Sequence, residues 1–264
     1  MDLAGTFKAG CTTYVGGGNF IKGDIMKKTL KVENKNITIY YDKIYTENKL
    51  PIIILNTFEE DGQEIWNKTK ELTHKEYVLV SISNIDWNRE MSPWYMDKLF
   101  KGEENYAGKA DEYIEILAEK IIPDISKEIG NLVHKDISEY IIAGYSLAGL
   151  FAIYSLYKTN IFSSAISCSG SLWYPNFIEY IKENELKIHP NKIYFSLGNR
   201  ESKTKNELMS KVEEKTKIAE RFYSKGNIET VYEENEGNHF QDVDLRIAKG
   251  IAWVWRNSSN TTFN

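Results

Sequence analysis

The chain has 264 residues, enough to bury one substantial core without a second domain. Its 33 basic and 38 acidic side chains leave a formal charge of −5, with no long run of like charge, so a nucleic-acid partner is not expected. No stretch approaches the roughly 20 apolar residues of a membrane span, and the two cysteines, Cys11 and Cys168, form no Cys-x-x-Cys pair or His cluster, which argues against zinc, dithiol chemistry and a disulfide framework.

Residues 1–27 are Gly-rich and lack the basic start and apolar stretch of a secretory signal, so they are read as a leader without assigned structure. A single domain over 28–264 is expected to follow, soluble and cytosolic, as a monomer or homodimer. TLKVEN and NITIYYDKIYT alternate apolar and polar residues around an NKN turn and predict an antiparallel hairpin. Then come PIIILN (51–56), YVLVSISN (77–84), EYIIAG (139–144), SAISCS (164–169) and KIYFSLG (192–198), short apolar runs of the kind buried on both faces of a parallel sheet. Segments with helical spacing separate them, from GQEIWNKTKEL through KADEYIEILAEKIIPDISKEI and PNFIEYIKENE to KNELMSKVEEKTKIAERFYSK. A last amphipathic helix, DVDLRIAKGIAWVWR, closes the pattern. The fold class is α/β, a mostly parallel sheet with helices on both faces.

EYIIAG runs directly into Gly144-Tyr145-Ser146-Leu147-Ala148-Gly149 and then an apolar helix. Strand, tight turn and helix is the context in which a Gly-x-Ser-x-Gly-like motif places a nucleophile. An N-cap serine is the alternative. At a helix amino terminus the serine faces unpaired N–H groups able to meet a developing oxyanion; Leu147 N–H is the first expected donor, and Phe58 N–H, from the loop after PIIILN, the second.

A serine nucleophile needs a histidine base and an acid to orient it. Of the four histidines, His74, His134 and His189 lie where strands begin, whereas His239 follows the strand ETVYEE, at the carboxyl edge where such sheets carry their sites. The acid is expected at Glu201, which ends KIYFSLG and keeps the order Ser, acid, His; Asp242 is the rival, although it also suits the start of the last helix.

With NIDWNREMSPWY (84–95), GKADEYIEILAEKIIPDI (108–125), SCSGSLWYP (167–175), KIYFSLGNRE (192–201) and GNHF (237–240), the chain resembles the putative-esterase branch of the α/β hydrolases over about residues 28–256. That branch includes siderophore trilactone esterases and S-formylglutathione hydrolases. The resemblance implies an α/β-hydrolase fold, a Ser146, Glu201 and His239 triad, and Leu147 and Phe58 as backbone oxyanion donors. It places Arg89 and Trp173 in loops bordering the substrate. Arg89 would bind an anionic substrate or pin its loop through Asp86 or Glu90; Trp173 would pack or form a substrate platform. Asn56-Thr57 stands where the family often has Asp-Gly, and Ala148 where a glycine is common.

These residues imply ester hydrolysis through an acyl-enzyme, on a small-molecule carboxylic ester or a siderophore-like lactone, with no metal or organic cofactor. Activity should fall as the base protonates, near the usual histidine value of about 6.5. The alternatives are an acyl-sugar esterase, a thioesterase, an acyltransferase, or a binding protein on a hydrolase scaffold.

Overall fold

The computed structural model describes residues 25–59 and 61–256. Residues 1–24, with Cys11 and most of the expected leader, lie outside the described residues. In chain order the strands are β1 (Ile25–Val32), β2 (Lys35–Asp42), β3 (Lys49–Asn56), β4 (Val78–Ser83), β5 (Tyr95–Met96), β6 (Tyr106–Ala107), β7 (Asp136–Tyr145), β8 (Phe162–Cys168), β9 (Lys192–Gly198) and β10 (Glu229–Asn235). The helices are α1 (Gln63–Leu72), α2 (Trp87–Glu90), α3 (Ala110–Ile116), α4 (Ile122–Val133), α5 (Leu147–Lys158), α6 (Phe177–Glu183), α7 (Val212–Lys225) and α8 (Val243–Val254).

Eight strands form one sheet in the order β1-β2-β4-β3-β7-β8-β9-β10. The pairs β1/β2 and β2/β4 are antiparallel; from β4 to β10 every neighbour is parallel. This is an α/β-hydrolase fold. The strand period of two explains why β3 reads as an unbroken apolar run. Ile52 and Ile54 face a core shared with α3–α7, while Ile53 and Leu55 face a second core closed by Ile65 and Trp66 of α1 and Ile247 and Ile251 of α8.

Three local expectations shift. β1 starts at Ile25, so residues 25–27 belong to the sheet rather than to the leader. The hairpin turns at Glu33 and Asn34, both at positive φ, and not over the NKN triplet, because a two-residue turn of matching twist needs two left-handed residues in succession. Between α3 and α4 the helix widens into a π turn, Leu117–Ile121, just before Pro123, where a regular helix would clash with the proline ring.

The sheet's carboxyl edge gathers the loops that matter. Ser146 follows β7, Ser169 follows β8, Glu201 lies just beyond β9, and His239 sits between β10 and α8. His74, His134 and His189 precede β4, β7 and β9, at the opposite edge. No helix among the described residues is long and apolar enough to cross a membrane.

Candidate active site

β7 must pass into α5 within one residue, and Ser146 makes that turn at φ 58° and ψ −122°, a strained conformation for a residue with a side chain. Neighbouring hydrogen bonds hold it: Ser146 N–H donates to the Cys168 carbonyl (3.0 Å), and the Ser146 carbonyl accepts from Gly149, Leu150 and Ser171. A Cβ at Gly144 would lie 2.3 Å from the Ala148 carbonyl carbon and oxygen, so only glycine fits there. Ala148 is itself fully buried, its methyl fitted into the core beside the elbow. Leu147 opens α5, so its N–H has no carbonyl one helical turn back within the helix.

Ser146 Oγ lies 3.0 Å from His239 Nε2, and His239 Nδ1 lies 2.7 Å from Glu201 Oε2. A carboxylate acceptor at Nδ1 favours the tautomer protonated there, which leaves Nε2 free to accept the serine proton. The Glu201 side chain is 3% exposed. Burial alone would raise its pKa, but hydrogen bonds from His239, Ser169 and the Gly198 N–H outweigh that and hold it below the ordinary carboxylate range.

The loops carrying Glu201 and His239 are stitched to each other. Arg200 N–H donates to the Gly237 carbonyl (3.0 Å), Asn199 N–H to the Asn235 carbonyl (2.8 Å), and Gly237 N–H to Asn199 Oδ1 (3.1 Å). Asp242 stands immediately before α8 at φ 53°, in the helix-start role, while the histidine Nδ1 partner is Glu201.

Sequence reasoning missed the group behind this chain. Arg246 of α8 is 1% exposed, with Nη1 2.8 Å from Glu201 Oε1 and 3.0 Å from the Tyr145 hydroxyl. Ser169 Oγ lies 2.7 Å from the same Glu201 oxygen. A signal was present: in DLRIAKGIAWV the arginine falls four residues before Gly250 and eight before Val254, on the buried stripe of an amphipathic helix, where a cation requires a buried partner.

A cavity of about 230 Å³ opens above Ser146, lined by Trp87, Phe100, Tyr106, Trp173 and Phe240 among others. No lysine or arginine lines it among the described residues. Trp173 is thus at the site while packing on Tyr174, ring centres 6.1 Å apart. Arg89 is not among the residues that line the cavity, and its guanidinium pairs with Glu112 of α3 at 2.9 Å. Glu90 instead turns inward to Lys35 (2.6 Å) and caps the Asp86 N–H (2.8 Å). The Phe58 ring is exposed and meets Trp87 edge-on at 5.3 Å. Thr57 gives its N–H to the Ile82 carbonyl, which leaves Phe58 N–H as the next donor along that loop.

Among the described residues, no group of three or more His, Cys, Asp or Glu is placed to hold a metal ion. Cys168 is free and buried, and burial pushes its thiol up to about 12.

The profile of the family described as "Putative esterase" matches residues 41–242, which include Ser146, Glu201 and His239. An uncharacterized protein of Bacillus subtilis (strain 168), YbbA, is 23% identical over 247 residues, covering 88% of this chain and 96% of the relative. Among solved structures, an IroE-like serine hydrolase from Shewanella oneidensis superposes with a TM-score of 0.70 at 16% identity, over 88% of this chain and 80% of its own. The siderophore hydrolase EstA from Aspergillus nidulans gives 0.63 at 15% identity, over 92% and 98%. At such identities the structural likeness is one of fold.

Proposed function

The chain belongs to the Putative esterase family and is a serine-hydrolase-type esterase, in which we propose that Ser146 is the nucleophile, His239 the general base and Glu201 the acid that orients it. The observation that carries this reading is the unbroken chain from Ser146 Oγ to His239 (3.0 Å) to Glu201 (2.7 Å) at a strained strand-to-helix turn. His239 Nε2 takes the hydroxyl proton as Oγ attacks the ester carbonyl. The tetrahedral oxyanion is met by the Leu147 N–H at the start of α5 and by the Phe58 N–H. His239 then returns the proton to the departing alcohol. Water repeats the cycle on the acyl-enzyme and releases the acid.

The cavity favours an uncharged, ring-bearing ester. Aromatic and aliphatic side chains together supply most of its wall, and no lysine or arginine stands among the described lining residues to neutralise an anionic substrate. Phe100 and Phe240, both exposed, stand at its mouth, and Phe58 leans on Trp87 beside it. A lactone of siderophore type falls within this class in its metal-free form, and the name of the similar EstA points the same way. The test is a panel of p-nitrophenyl esters, catecholate trilactones, acylated sugars and thioesters, run on the wild type beside Ser146→Ala. Ester turnover lost in the variant supports the reading; turnover retained by Ser146→Ala contradicts it.

A further inference from the structure

We propose that Arg246 is a positioning residue for the esterase reaction, a buried guanidinium that locks the acid and the loop of the base into one unit and balances the acid's charge. This rests on the triad reading above. The division of contacts is the argument. Nη1 takes Glu201 Oε1 at 2.8 Å, and Nη2 takes the carbonyls of Glu236 (2.9 Å) and Asn238 (3.0 Å), the latter next to His239. One side chain on α8 therefore holds both loops that must meet Ser146.

The two carboxylate oxygens of Glu201 have separate duties. Oε1 is saturated by Arg246, Ser169 Oγ (2.7 Å) and the Gly198 N–H (2.6 Å), which fixes the plane of the carboxylate and leaves Oε2 for His239 Nδ1 alone. Packing leaves no slack. A Cβ at Gly198 would lie 2.7 Å from Nη2 and 2.4 Å from the Gly237 carbonyl oxygen, so the guanidinium is seated against a glycine. Lysine cannot substitute, because one ammonium does not serve acceptors arranged on both arms of a fork.

The electrostatic consequence has a definite sign. A carboxylate facing an imidazole stabilises the imidazolium, which is inactive as a base; a guanidinium beside the same carboxylate opposes that. Arg246 is faced by Glu201 from the loop after β9, by Tyr145 at the end of β7, and by Cys168 of β8, whose thiol reaches the Arg246 carbonyl at 3.4 Å. His239 is faced by Glu201, Tyr145, Phe240 and Ser146. Glu233 on β10 also lies in this region, paired to Lys249 at 2.8 Å. Among the described residues, only Glu201 and Arg246 form a charged pair in contact with the imidazole's own hydrogen-bond chain, so removing the guanidinium leaves the carboxylate's charge unopposed toward the ring.

The experiment is kcat and KM against pH for a p-nitrophenyl ester with Arg246→Met and Arg246→Lys, each checked for fold by circular dichroism. Arg246→Met is expected to lower kcat by about tenfold or more with KM within about twofold, and to move the acidic limb of kcat/KM up by roughly half a pH unit or more. Arg246→Lys keeps the charge but not the fork, so kcat falls while the limb stays put. A folded Arg246→Met with wild-type kcat, or with lower kcat and an unmoved limb, overturns the proposal by reducing Arg246 to packing. If the methionine variant does not fold, Arg246→Lys decides, and wild-type kcat in it overturns the proposal. Absence of turnover in the wild type would strike the proposed function instead.

Discussion

The hydroxyl of Tyr145, one residue before the serine, donates a 2.8 Å hydrogen bond to the backbone carbonyl of His239. The turn at Ser146 is thus tied directly to the loop that carries His239, across 94 residues of chain. The same hydroxyl lies 2.8 Å from Ser169 Oγ, and burial raises its pKa above the ordinary tyrosine value, so it stays a neutral donor throughout the working pH range.

Tyr145→Phe should therefore loosen the base without touching substrate. We expect kcat to fall several-fold with KM nearly unchanged, and stability to drop by about 1 kcal/mol for the lost hydrogen bond. Steady-state kinetics and denaturant unfolding measure both; an unchanged kcat would remove any role for the tie in catalysis.

Glu201→Gln keeps the shape and removes the charge. Loss of the acid's hold on the imidazole tautomer should cost about 10³ or more in kcat, and the variant leaves Arg246 buried beside a neutral amide, at a cost of about 3 kcal/mol or more. The wild-type carboxylate titrates below its ordinary value in the folded state. Its contribution to stability is then present above the unfolded value of about 4.3 and is lost as pH falls through the lower folded value. Unfolding free energy followed from pH 7 down to 3 should fall more steeply in the wild type than in Glu201→Gln; equal slopes would contradict the assignment.

At the cavity mouth, Phe240 is 85% exposed, which suits a residue that substrate would cover. Phe240→Ala should raise KM for a bulky aromatic ester several-fold while leaving p-nitrophenyl acetate unaffected. Kinetics with the two substrates side by side provide the check, and a parallel loss on both would place Phe240 in support of His239 instead.

Arg89→Ala is expected to leave kcat and KM unchanged for neutral and anionic esters alike, since its partner is the solvent-facing Glu112. A selective rise in KM for anionic esters would return Arg89 to the substrate.

The meeting of Ser146 and His239 at one sheet edge was legible because each signal is local. Small residues stand two or three places from Ser146, at Gly144, Ala148 and Gly149, and His239 is the one histidine after a strand's carboxyl end. Glu201 was legible through chain order. Arg246 was not singled out, because its partner stands 45 residues away and an arginine in an amphipathic helix ordinarily faces water. For the same reason the pairing of Arg89 with Glu112, 23 residues on in another helix, could not be told from a pairing within its own loop. The hairpin turn slipped because NKN and Glu33-Asn34 offer similar turn chemistry, and the register between β1 and β2 selects the pair that takes positive φ.

The most direct test of the central claim is intact-mass and peptide mapping after reaction with a fluorophosphonate. A single adduct on Ser146, absent in Ser146→Ala and much slower to form in His239→Ala, is the predicted result. Labelling at another residue, or at Ser146 at an undiminished rate without the imidazole, would contradict it.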